Sequence, residues 1–383
     1  MNGAVAPDKA AAAPQEREWR WFVLGLVLMV VITAAPVWPP ALALLAAAVR
    51  LLLPVEQFAL LVLIAIAACA TVGWLSGGRI LQAVLWLAAA GYVLWRVPLP
   101  LAGYGAFLRG WALTLGAAFG LVSLASPLRP LLSRALAAVA LAGAVTVASL
   151  SLRAAGAAGT FEAAGRMFAG EYQHRLAESL GSWHQRTTSE VWQIVTSRFP
   201  RALEQAGHVE SLLVAVTDPN PASAAMETPQ PGALVSIVPA LLALESILAL
   251  ALGWAAYHRL ARTRIGPPIG ALRDLRFNDQ WVWGLIVGIT ALLLPTLAEW
   301  QVAGINLLGF FGALYALRGA SVLTWWIPDR VALWSLPVLL LLVLVLGPVW
   351  VLMVLLSVTF TLGLGDTWRD FRSGAAAGRH WSS

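Results

Sequence analysis

The chain has 383 residues, of which 60% are hydrophobic and 11% charged, and its mean hydropathy is +0.77. So few charges cannot cover a soluble protein of this size, which excludes a set of water-soluble domains and makes lipid the main solvent. The formal net charge of +6 does not point to nucleic acid, because the excess arginines sit in short loops between apolar runs, where they orient a membrane protein.

In chain order, residues 1–20 are Ala/Pro-rich and are expected to be a disordered cytoplasmic N-terminus. A membrane-spanning helix needs about 20 apolar residues. Runs of that kind are expected as spans at 22–53, 57–76, 79–96, 104–126, 131–151, 233–257, 281–299, 303–326, 331–347 and 348–365. Pro36, Pro39 and Pro40 interrupt the first, which reads as one kinked helix or as a helix with a re-entrant piece. It continues past those prolines, unlike the short apolar core of a cleaved signal peptide. The last two runs meet at Gly347-Pro348 and read as one bent helix or two. Cys69, the one cysteine, lies within an apolar run, so neither an intrachain disulfide nor a cysteine metal site is expected.

Arginine placement orients these spans. Arg259, Arg262, Arg264, Arg273 and Arg276 crowd the loop before 281–299, while Arg79, Arg129, Arg134 and Arg330 mark other loops. Arg17 and Arg20 precede the first span, and Arg369, Arg372 and Arg379 follow the last. With about 10 spans all of these fall on one side, which the positive-inside rule makes cytoplasmic, and both termini are then inside. Arg50, Arg96 and Arg109 dissent but are outnumbered. The expected fold is an all-α polytopic transmembrane helix bundle in the inner membrane, embedded in the lipid bilayer. Its parts are an N-terminal bundle at 21–151, an extracytoplasmic insert at 152–232, a C-terminal bundle at 233–366 and a cytoplasmic tail at 367–383.

The insert is slightly acidic. Phe161, Phe168, Tyr172, Leu176, Leu180 and Trp183 recur at helical spacing. Thr187-Thr-Ser-Glu190 is a capping-box pattern for a second helix, and 217–232 is a proline-rich linker. Two amphipathic helices must bury their apolar stripes against each other, the outer leaflet, a partner, or the bundle as a lid.

Few residues carry chemistry. Glu171-Tyr-Gln-His174 has the Glu-x-x-His spacing of di-metal helices, but such sites need two copies and further carboxylates, so it reads as a solvated helix face. Glu245 lies mid-span, where an ionised carboxylate costs several kcal/mol unless paired. Its expected partner is Arg318 on the eighth span, with Asn306 and Gln301 as further polar groups nearby. Glu245, Arg318 and Asn306 are thus the candidates for ligand binding or ion pairing; the bland alternative is a pairing that only orients helices. No phosphate loop, dinucleotide fingerprint, zinc-protease motif or nucleophile elbow is present in the sequence. No enzyme activity, cofactor or metal is therefore expected.

The segments "IVPALLALESILALALGWAAYHRLARTRIGPPIGALRDLRFNDQWVWGL", "INLLGFFGALYALRGASVLTWWI" and "LGLGDTWRDFR" resemble the YybS-like family of predicted multi-pass membrane proteins. The resemblance covers about 150 residues of the C-terminal half. It departs at Asn278-Asp279-Gln280, where proline is expected, and at Arg318, where glutamine is expected. That family is distantly similar to the substrate-binding components of energy-coupling-factor transporters, which implies small-molecule binding or transport and a partner ATPase. A non-transporting scaffold in envelope assembly or morphogenesis, with the insert as docking surface, is the competing expectation.

Overall fold

A computed structural model describes residues 54–96, 103–153, 164–168, 170–171, 174–175, 237–260, 266–270, 272–326, 348–369 and 371. The expected spans at 22–53 and 331–347, the insert from residue 176 onward with its Thr187–Glu190 capping box, and the 217–232 linker lie outside these residues.

Among the described residues every long element is helical, and there is no strand. The helices are α1 (Val55–Leu75), α2 (Ile80–Arg96), α3 (Gly103–Ala125), α4 (Leu131–Arg153), α5 (Val238–Leu260), α6 (Val282–Leu293), α7 (Gln301–Trp326) and α8 (Pro348–Gly365). Five of them, α1, α3, α4, α5 and α7, are long and apolar enough to cross a membrane, and α2, α6 and α8 supply shorter apolar stretches.

Local sequence explains several boundaries. Proline 54 precedes α1, with its carbonyl accepting from Phe58 N–H at 2.9 Å. The α1–α2 turn uses Gly77 at φ 94°, a left-handed conformation that only glycine adopts cheaply, and Gly78 N–H returns to the Gly73 carbonyl at 2.8 Å. The expected span at 281–299 is shorter than its apolar run. The helix α6 ends at Leu293, Leu294 is extended with ψ 115°, and a 3-10 segment follows at Pro295–Trp300. The residue before a proline is driven out of the helical region, so Pro295 sets this break.

Packing places α5 at the centre: it touches α1, α4 and α7. Half of the apolar window is buried in α1 and in α5 (50% each), against 22% in α4, so α4 faces largely outward. The helices α1, α3 and α5 run in the same direction. Gly116 and Gly120 of α3 meet Ile64 and Val72 of α1, while Gly253 and Tyr257 of α5 meet Ala65 and Gly73 of α1. At Gly253 a Cβ would lie 2.7 Å from that of Ala65, so small residues let these two backbones approach. The helices α7 and α8 cross still closer. A Cβ on Gly319 would collide with the Thr359 carbonyl oxygen, and one on Gly363 with that of Tyr315. Outward faces carry Leu81, Leu85 and Trp95 on α2, Trp283 and Leu293 on α6, and Met353 to Leu356 on α8, all exposed as lipid-facing surfaces require.

One sequence expectation about charge is corrected here. Arg134 is not a loop marker: it lies in the first turn of α4 and is 0% exposed.

Candidate functional site

Polar side chains converge where α1, α3 and α5 begin. Gln57 comes from the first turn of α1, Tyr104 from the first turn of α3, and Glu245 from the third turn of α5. Glu171 and Arg175 come from the insert, whose residues 164–168, 170–171 and 174–175 are helical. One helical turn separates them, so both face the same way. Met167 and Phe168 from the same stretch pack on the apolar core. The Phe168 ring stands edge-on to Phe107 at 5.4 Å and to Tyr104 at 6.1 Å between centroids. An aromatic contact thus seats this part of the insert on the bundle and carries its charged residues inward.

The cluster is almost fully buried, with Arg175 4% and Glu245 3% exposed. Arg175 Nε donates to Glu171 Oε1 at 2.8 Å, and its Nη2 donates to Gln57 Oε1 at 2.7 Å and to Tyr104 Oη at 3.1 Å. Gln57 Nε2 donates to the same Glu171 oxygen at 2.7 Å. Burial works against the charge of Arg175, yet Tyr104, Glu245 and Glu171 around it hold its guanidinium above the ordinary value. Glu245 stands apart. Its Oε1 lies 3.6 Å from Arg175 Nη1, an ion pair longer than a hydrogen bond, and among the described residues neither carboxylate oxygen nor Nη1 has a hydrogen-bond partner. On the next residue, Ser246 Oγ accepts from Trp111 Nε1 at 2.9 Å and donates to the Leu242 carbonyl at 2.7 Å, tying α3 to α5 beside the site.

Among the described residues, two carboxylates therefore face one guanidinium in a buried site. With all three groups ionised the cluster carries one uncompensated negative charge, and it resides on the carboxylate that receives no donor. Such a group invites a proton, a cation or a donor-bearing solute, because buried charge without partners is costly.

Arg318 is not the partner of Glu245. Its Nη1 pairs with Asp279 at 2.6 Å, its Nε donates to Asp366 Oδ2 at 2.9 Å, and its Nη2 donates to the Asp366 carbonyl at 3.1 Å. The guanidinium also lies 5.3 Å from the centroid of Phe277. It clamps the α8 C-terminus and the α6 approach to α7, satisfying a charge that would otherwise be stranded in an apolar helix. Asn306 has a different task. Its Oδ1 accepts from Ala240 N–H at 2.8 Å, and its Nδ2 donates to the Val302 carbonyl at 2.8 Å. Ala240 lies in the first turn of α5, where N–H groups lack intrahelical acceptors, so Asn306 caps α5 from α7. Gln301 is exposed.

The Glu171/His174 pair is likewise corrected. Glu171 is 8% exposed and its Oε1 accepts from Gln57 and Arg175, so it is no part of a solvated face, whereas His174 points outward and is exposed. Among the described residues no group of three or more metal-ligating side chains comes together. Gln57, Tyr104 and Arg175 escape sequence reasoning, since they belong to span ends and to a segment read as surface, and Glu171 is singled out there only for its spacing to His174. Asp366 had a usable signal: it is an acid directly at the end of an apolar run, in reach of an arginine that needs one.

No curated protein and no solved structure matches the chain. Residues 185–367, just under half of the chain, match a family model described as "Predicted membrane protein (DUF2232)". Together with five helices of membrane-crossing length, that match identifies a membrane protein in contact with the lipid bilayer.

Proposed function

We propose that this protein binds a small molecule within its helix bundle, or carries it across the membrane, at the cluster formed by Glu245, Arg175, Glu171, Gln57 and Tyr104. The observation that carries the reading is the convergence itself. Three helices and the insert each send a polar group to one buried point, and among the described residues Glu245 meets no hydrogen-bond donor there. The insert acts as the lid, since Phe168 seats it and Arg175 supplies the opposing charge. The role is non-enzymatic, in a cytoplasmic membrane with about 10 spans and both termini inside, as the arginine placement favours. The resemblance of the C-terminal half to the YybS-like family, and through it to energy-coupling-factor substrate binders, supports the same reading and suggests a partner ATPase.

A second reading rests on a specific observation: Glu245 is only 3% exposed. A sealed ionic cluster is also what a non-transporting scaffold for envelope assembly would use to lock its insert onto the bundle. Affinity purification of the full chain separates the two. A co-purifying metabolite with an ATPase pair supports binding and transport, whereas recovery of cell-wall or division proteins without a metabolite supports the scaffold and overturns the first reading.

A further inference from the structure

The opposite end of the bundle from the Glu245 cluster holds another buried charge, with different chemistry. Arg134 is 0% exposed, and among the described residues none of its Nε, Nη1 and Nη2 atoms has a hydrogen-bond partner. No acid among the described residues pairs with it. Its guanidinium carbon lies 4.2 Å from the ring centroid of Trp254, itself fully buried and fixed by donating Nε1 to the Pro267 carbonyl at 3.2 Å. This cation–π contact holds the guanidinium against the indole but satisfies none of its five N–H groups.

The surroundings favour an anion. Arg134 lies in the first turn of the 23-residue α4, whose leading N–H groups and positive dipole end face the same region. Side chains on a helix lean toward its N-terminus, and Nη1 would lie 3.6 Å from a Cβ on Gly266, so the guanidinium reaches the two turns at this end. Exposed Arg129 precedes α4 in the adjoining turn, and exposed Arg259 lies in the last turn of α5, ahead of the loop that carries Gly266. The cover consists of the turn at 126–130 and the loop at 266–270, which meet where Gly266, at φ 80°, abuts the Pro127 carbonyl.

We propose that Arg134 centres a binding site for a phosphate group, free or on a lipid headgroup, reached when these two turns part. A planar guanidinium with its donors unused matches two phosphate oxygens in a bidentate pair. Trp254 would hold it in register, and the α4 N-terminus would share the charge. The site is independent of the Glu245 cluster.

The test measures the unfolding temperature of the full-length protein and of R134M in phosphatidylcholine nanodiscs. One arm adds inorganic phosphate against sodium chloride of matched ionic strength, and another replaces part of the lipid with phosphatidylglycerol. A saturating ligand should raise the wild-type midpoint by about 2–5 °C and leave R134M unmoved. A rise with inorganic phosphate assigns the site to the free anion; a rise with phosphatidylglycerol alone assigns it to the headgroup. No rise beyond the salt control in either arm, or an equal rise in R134M, overturns the proposal. Where R134M does not fold, R134K takes its place: it keeps the charge but not the bidentate fork, so the rise should shrink, and an undiminished rise overturns the proposal.

Discussion

Replacing Arg175 by methionine tests the charge count of the central cluster. In the wild type, one guanidinium stands against Glu171 at 2.8 Å and Glu245 at 3.6 Å. R175M leaves two carboxylates buried with no cation, and stranding a buried charge in this way costs about 3–5 kcal/mol. Glu245→Gln acts in the opposite sense. It removes the uncompensated charge, keeps the Arg175–Glu171 pair, and offers Arg175 a neutral acceptor, so the expected change is under about 1 kcal/mol. The double variant R175M/E245Q should recover part of the R175M loss, because one buried carboxylate is less costly than two. Equilibrium unfolding in a mixed dodecylmaltoside–SDS system reads all three. A loss in R175M no larger than in E245Q, or no recovery in the double variant, would refute the placement of Arg175 between the two acids.

Three other outcomes follow from the contacts. R318M should destabilise by about 3–5 kcal/mol because it strands Asp366, whose side chain is 2% exposed, while D279N should cost under about 1 kcal/mol because Asp279 is 59% exposed. The same unfolding assay compares them, and equal losses would contradict the clamp. Gly363→Ala should cost about 2 kcal/mol or more by driving a methyl into the Tyr315 carbonyl, whereas Gly143→Ala, with open space around it, should be neutral or stabilising by up to about 1 kcal/mol. Asn306→Ala should lose about 0.5–2 kcal/mol with the cap on α5, and Asn306→Asp, which keeps the acceptor, should retain most of it; hydrogen exchange at Ala240 reports the same bond directly.

Lipid solvation explains which of these features are legible in the sequence. A helix in hydrocarbon must satisfy its own backbone, so apolar run length alone locates α1 to α5 and α7 to within a few residues. Pro295 truncates α6 because proline acts on the residue before it, which a count of apolar residues ignores. Glu245 is conspicuous because a mid-span acid is rare, but its partner is not, because ion pairs are made by tertiary contact. Arg175 lies 70 residues away in a segment whose charges suit an aqueous surface equally well, and only the seating of Phe168 against Phe107 turns it inward. Arg318 shows the converse. It is expected to reach across to Glu245, yet two acids at the ends of neighbouring apolar runs lie closer. Arg134 counts toward orientation in the sequence and is fully buried in the fold. Charge bias along a chain reports topology without reporting where a given side chain is buried.

The most direct test of the central claim is native mass spectrometry of the full-length protein released from membranes without detergent exchange, wild type beside E245Q. The binding reading predicts a small molecule retained by the wild type and lost from E245Q, with both proteins equally folded. Equal occupancy in the two, or no bound solute in either, would contradict it and leave the buried cluster as a lock between insert and bundle.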